Sequence, residues 1–152
     1  MKTIAELICS GLETPVYYVS LSGFDTHAFQ KGIQNRLLKV YNNALLAFAK
    51  DLRLNNYWKE TVVMTFSEFG RRVKQNGSNG TDHGTANNIY LPGGNIRKIG
   101  FYNEMPNLDQ LSDGDLVYSI DFRQVYATLL EQWLQQDSNS VLGKQYPILN
   151  IF

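Results

Sequence analysis

Cysteine is nearly absent: Cys9 is the only one, so no intrachain disulfide can form and cysteine usage leaves the compartment open. Neither sign of charge is in excess, with Lys+Arg 14 and Asp+Glu 14. A nucleic-acid binder gathers a basic surplus on one face, whereas the basic residues here are diluted by Asp and Glu, so no nucleic-acid partner is expected. No window approaches the ~18 apolar residues of a membrane span. Glu6 stands where a signal peptide needs its apolar stretch, so no membrane partner is expected and the chain as written carries no address. There is no internal repeat and no low-complexity segment. Histidine is scarce as well, and any imidazole chemistry must come from His27 and His83.

What is present is a globular composition, 43% hydrophobic and 18% charged, over 152 residues, which is the size of one domain with a core of its own. Residues 1–152 are therefore expected to form a single α/β domain. Ile4, Leu7, Ile8 and Leu12 recur at helical spacing, and Gly11 sits where a helix C-terminus wants a left-handed residue, which predicts a short helix over 3–10. The run Val16–Leu21 is β-branched, aromatic and free of charge, as is Thr61–Phe66, and both predict buried strands. Between them Ile33, Leu37, Tyr41, Leu45, Phe48 and Leu52 step by four and three, which predicts a helix over 30–54. Strand, helix, strand reads as a βαβ crossover with the two strands parallel and adjacent. Tyr41, Phe48 and Leu52 should face that sheet, and Asn35, Asn42 and Lys50 should face solvent. Residues 74–88 are polar and glycine-rich, hence a loop. Short strands are expected over 89–91 and 99–102. Asp121 with Gln124 forms a capping-box pattern for a helix carrying Phe122, Val125, Tyr126, Leu129, Leu130 and Trp133.

Three polar clusters carry the chemistry: Asp25-Thr26-His27, Ser67-Glu68-Phe69-Gly70-Arg71 and Thr81-Asp82-His83-Gly84. Two of them follow the two predicted strands, which places them at the carboxyl edge of a parallel sheet, where open α/β sheets hold ligands. The third lies in the next loop and can fold back over that edge. Two imidazoles and three carboxylates suit Zn²⁺ or another borderline divalent ion better than Ca²⁺ or Mg²⁺ alone. Plainer readings stand beside this one. A histidine in a loop is often only solvated, Glu68 could cap a helix or pair with Arg71, and Arg71 and Arg72 could be solvated.

Gly23-Phe24-Asp25-Thr26-His27, Ser67-Glu68-Phe69-Gly70-Arg71, Gly80-Thr81-Asp82-His83-Gly84 and Asp121-Phe122-Arg123 before Val125-Tyr126-Ala127 resemble, in that order, the signature segments of the DUF1501 family. That family is similar to the alkaline phosphatase and sulfatase superfamily, whose members hydrolyse phosphate or sulfate esters with one or two metal ions. Its members are usually more than twice this length and often begin with a twin-arginine export signal. The resemblance thus implies a periplasmic or exported protein, with this chain matching the C-terminal half. Asp25 and His27 resemble the Asp and His that bind the first metal after one strand, at tighter spacing, and His83 resembles the last His that completes that site. The superfamily's Ser-Asp-His-Gly segment corresponds to Ser67-Glu68-Phe69-Gly70, and phenylalanine cannot ligate a second metal. The superfamily nucleophile follows an early strand that has no counterpart here. Cys9 and Ser10 lie on a predicted helix, and no nucleophile is assigned.

The resemblance implies a three-layer α/β architecture with a mostly parallel sheet, like the C-terminal half of an alkaline-phosphatase-like domain. The implied activity is metal-dependent hydrolysis of a phosphate or sulfate ester. The expected metal ligands are Asp25, His27, Asp82 and His83, with zinc or manganese as the ion. Glu68 is the candidate catalytic group, as a base or as holder of a weak second ion, and Arg71 and Asn87 are candidates to bind the anionic ester substrate. Two alternatives remain: a non-catalytic binding or assembly module, or one half of a split enzyme that needs a partner chain or self-association to cover a cut sheet edge.

Overall fold

A computed structural model describes residues 1–152. Helix α1 spans Lys2–Cys9 and helix α2 spans Gln30–Leu54, within a residue of the ends expected from periodicity. They pack on each other through Ala5, Phe48 and Leu52, with Met1, Ile4, Ile8, Cys9, Tyr57, Trp58 and Val63 around that centre. Each large apolar side chain buried there contributes roughly 1.5–3 kcal/mol. The solvent face of α2 is as expected, with Asn35, Asn42 and Lys50 exposed. Its apolar stripe, however, covers α1 and the chain that returns through the 3₁₀ turn Trp58–Glu60, and no sheet lies beneath it. Tyr41 is half-buried and its hydroxyl meets Thr65 Oγ1 at 2.8 Å, which ties the middle of α2 to the returning segment.

The second packed region is C-terminal. Helix α3, Phe122–Thr128, is capped by the Asp121 carboxylate, which accepts from the Arg123 N–H, and continues as a π-helical turn over Leu129–Trp133. Helix α4, Ser138–Leu142, has Asp137 as its cap and ends at Gly143 with φ 67°, the left-handed geometry that glycine adopts without strain. Val125, Ala127, Thr128, Ser138 and Ile151 are buried here, and the Leu149 N–H donates to the Thr128 hydroxyl.

The expected three-layer parallel sheet is not there. Strands β1 (Gly70–Arg71) and β2 (His83–Gly84) pair antiparallel, as do β3 (Leu111–Ser112) and β4 (Asp115–Leu116). Residues 61–66 make only the antiparallel bridges Val62 to Gly93 and Thr65 to Tyr90, and residues 16–21 belong to no ladder. The segment over 99–102 is no strand either, with Ile99 and Phe101 exposed. A β-branched, aromatic run reports a tendency toward burial in a sheet, but a ladder also needs a neighbour with free N–H and C=O groups, and a one-chain pattern cannot supply one. Val16 is 62% and Tyr18 78% exposed as a result. The total accessible surface is 10925 Å², where a folded monomer of this mass exposes about 7,800 Å².

Candidate metal centre

Asp25 and His27 lie on the turn that leads into α2. Thr26 between them is buried, its N–H bonded to the Phe24 carbonyl and its hydroxyl accepting from Gln34 Nε2 on α2. Anchoring the middle residue inward sends its two neighbours outward. His83 arrives from β2, directly opposite Arg71 of β1. The loop between β1 and β2 is laced to the start of α2 by Phe29 N–H to the Ser78 carbonyl, Gln30 N–H to the Asn79 carbonyl and the Thr81 hydroxyl to Gln30 Oε1. Gly80 is required in that seam, since a Cβ there would collide with the His27 backbone carbonyl.

These constraints bring both histidines onto one carboxylate. Asp25 Oδ1 is 2.8 Å from His83 Nε2 and 3.0 Å from His27 Nε2. One ligand atom from each of Asp25, His27 and His83 lies within 4.8 Å of the others. The hydrogen bond from His83 lowers the Asp25 pKa below its ordinary value; partial desolvation opposes this, and the charges of His83 and His27 add to it. The other nitrogen of His27, Nδ1, faces Asp82 Oδ1 at 3.6 Å. Asp82 therefore stands behind His27, in the position of a carboxylate that orients an imidazole, rather than beside Asp25. Asn76 completes this backing: its Nδ2 donates to Asp82 Oδ1 and to the His27 carbonyl, and its Oδ1 accepts the N–H groups of Ser78 and Gly80.

The His83 ring is stacked on Phe69, with centroids 3.8 Å apart and 10° between planes. Asn87 Nδ2 donates to the Phe69 carbonyl, and Ser67 Oγ donates to the same oxygen. Arg71 sends Nη1 to the Thr81 carbonyl and Nη2 to the Phe24 carbonyl, both at 2.6 Å. Arg71 and Asn87 are thus engaged with the backbone of the site. Glu68 is exposed and its side chain joins neither the cluster nor an ion pair. The sequence reading missed Asn76 and Phe69. Asn76-Gly77 was legible as a turn dipeptide, whereas nothing local marks an aromatic ring as the platform for a histidine 14 positions away.

The donor set fits a borderline divalent ion: two imidazole Nε2 atoms and one ionised carboxylate are three protein ligands, the number that catalytic zinc sites use while keeping a position open. Donors of a tetrahedral zinc shell stand ~3.3 Å apart, as bond lengths of ~2.0–2.1 Å require; the two carboxylate–imidazole separations here are 2.8 and 3.0 Å, hydrogen-bond distances, and the three donors together lie within 4.8 Å, so rearrangement of the side chains would close the shell. The side chains are half-exposed, His27 50% and His83 43%, so small rotations are open to them. Comparison with curated proteins and with solved structures finds no match for this chain. The sequence model of the family described as protein of unknown function (DUF1501) does match, over residues 5–146, and the chain belongs to that family.

Proposed function

We propose that Asp25, His27 and His83 hold a divalent metal ion, zinc or manganese, and that the site serves hydrolysis of a phosphate or sulfate ester. The observation that carries this reading is the convergence of the chain's two histidines, 56 positions apart in sequence, on one carboxylate. The ester class comes from the resemblance of the site segments to the alkaline phosphatase and sulfatase superfamily. A bound divalent ion would supply Lewis acidity toward an ester oxygen and lower the pKa of bound water to about 7. The chain's own residues divide the rest of the work. Asp25 contributes the negative charge and His27 and His83 the imidazole donors. Asp82 faces His27 Nδ1 at 3.6 Å, placed to orient the ring once the carboxylate closes on it, and Phe69 stacks on His83. Glu68 lies on the segment next to Phe69, exposed and outside the cluster, and is the candidate base or second-ion ligand by sequence position alone. No residue of this chain is assigned as nucleophile.

Titration calorimetry with Zn²⁺ and Mn²⁺ on the parent, His27→Ala and His83→Ala tests the site, and a screen of p-nitrophenyl phosphate and sulfate tests the reaction. The parent should bind one ion and each variant should lose most of the affinity. Equal affinity in all three ends the reading. A second reading, a binding module that works with a partner chain or by self-association, is favoured by the large exposed surface and by the unpaired run Val16–Leu21. Metal binding without ester hydrolysis would support it.

A further inference from the structure

The site is assembled from segments that share no helix and no continuous sheet, so something must set the distance between the Asp25-His27 turn and the His83 strand. We infer that Arg71 is the positioning residue that does this, joining the two ligand-bearing segments through its guanidinium. This role presupposes the metal reading of Asp25, His27 and His83.

Nη2 donates to the carbonyl of Phe24, the residue just before Asp25, and Nη1 donates to the carbonyl of Thr81, two residues before His83. One planar cation thereby holds the backbone on both sides of the cluster, through charge-assisted bonds stronger than neutral ones. The backbone of Arg71 is itself paired with His83 across β1 and β2, and the Arg72 N–H bonds the Asp82 carbonyl, so the staple is anchored to the strand next to its own, β2, which carries one of the ligands. Gly84 permits that pairing, since its Cβ would stand 2.7 Å from the Arg71 carbonyl carbon. The guanidinium carbon also lies 5.1 Å from the centroid of the Phe69 ring on which His83 stacks, so the same side chain bears on the plane of that imidazole. Lysine cannot replace this: its ammonium is a point charge without the rigid fork that reaches two carbonyls at once.

The experiment measures Zn²⁺ affinity and the visible spectrum of the Co²⁺-loaded protein for the parent, Arg71→Ala, Arg71→Lys and His83→Ala. Far-UV circular dichroism establishes that each variant is folded, and Arg71→Lys, which keeps the charge and stem, serves if Arg71→Ala does not fold. Arg71→Ala should lose about 10- to 100-fold in Zn²⁺ affinity, as loss of an outer positioning group typically does, and Arg71→Lys should also fall below the parent. Added methylguanidinium should restore affinity and the parent Co²⁺ spectrum to Arg71→Ala but not to His83→Ala. Parent affinity and spectrum in both Arg71 variants would overturn the assignment. If the parent takes up no Zn²⁺, the metal reading fails by itself, and the staple is then judged on the metal-free protein by the NMR cross-peak between the His27 and His83 rings, whose centroids are 4.8 Å apart. Loss of that cross-peak in Arg71→Ala supports the positioning role, and its persistence refutes it.

Discussion

The α1–α2 unit and the histidine site are built on opposite principles. In the first, a periodic apolar stripe buries Phe48 and Leu52 against Ala5 and needs only local spacing and water to form. In the second, Asp25, His27, Asp82 and His83 remain exposed, and their positions follow from hydrogen bonds that Arg71 and Asn76 send, and that Gln30 accepts from Thr81, across the turn and the β1–β2 loop. Stability should therefore reside mainly in the helical unit, and metal geometry in a polar lattice that contributes little to global stability.

The largest expected effect comes from the helical side. Phe48→Ala should lower the free energy of unfolding by roughly 3–5 kcal/mol, read from chemical denaturation, while folded protein keeps parent Zn²⁺ affinity. A parallel fall in affinity would break the separation of the two regions. Conversely, Asp82→Asn should reduce Zn²⁺ affinity about 10- to 100-fold by calorimetry, with unfolding changed by no more than about 0.5 kcal/mol. A stability loss as large as that of Phe48→Ala would show that the loop lattice holds the fold as well as the site.

The C-terminal region sharpens the contrast at smaller scale. Asp121→Ala should cost about 1 kcal/mol through loss of the α3 cap. Arg123 hydrogen-bonds the Asp121 carboxylate and lowers its pKa below the ordinary 3.8; partial desolvation opposes the shift, and the charge of Arg123 reinforces it. The cap's contribution is then complete above the unfolded-state value near 3.8 and is lost as pH falls through the lower folded-state value. Acid titration of stability should show this loss in the parent and a flatter curve in Asp121→Ala. Smallest of all, Asn42→Ala and Lys50→Ala on the exposed face of α2 should shift unfolding by no more than about 0.5 kcal/mol. A larger shift would mean that this face is covered in solution.

Much of the helical architecture was legible because a helix is encoded by spacing along one segment. The step pattern from Ile33 to Leu52 marked out α2, and Asp121 announced its own cap. The strands were misread because Val16–Leu21 carries the composition of a buried strand while its hydrogen-bond partner is specified nowhere in that run. One hairpin was legible and went unread: Asp113-Gly114, with φ 51° and 82°, is the two-residue turn that joins β3 to β4.

The sequence by itself determined the chemical inventory of the site, since only two histidines exist and each has an aspartate within two positions. It also determined α1, α2 and the start of α3, and which face of α2 meets solvent, because 3.6-residue periodicity is a local property; it did not determine α4, the π-helical turn after α3, or the exposure of Phe122. Only the tertiary structure decided that His27 and His83 share Asp25, that Asp82 stands behind His27, and that Arg71 and Asn87 bond the backbone around the cluster. Those outcomes depend on where a turn before α2 and a loop after β1 meet in space. That meeting is set by hydrogen bonds between residues roughly 50 positions apart, such as Arg71 with Phe24 and Asn76 with His27, which leave no periodic trace in the chain.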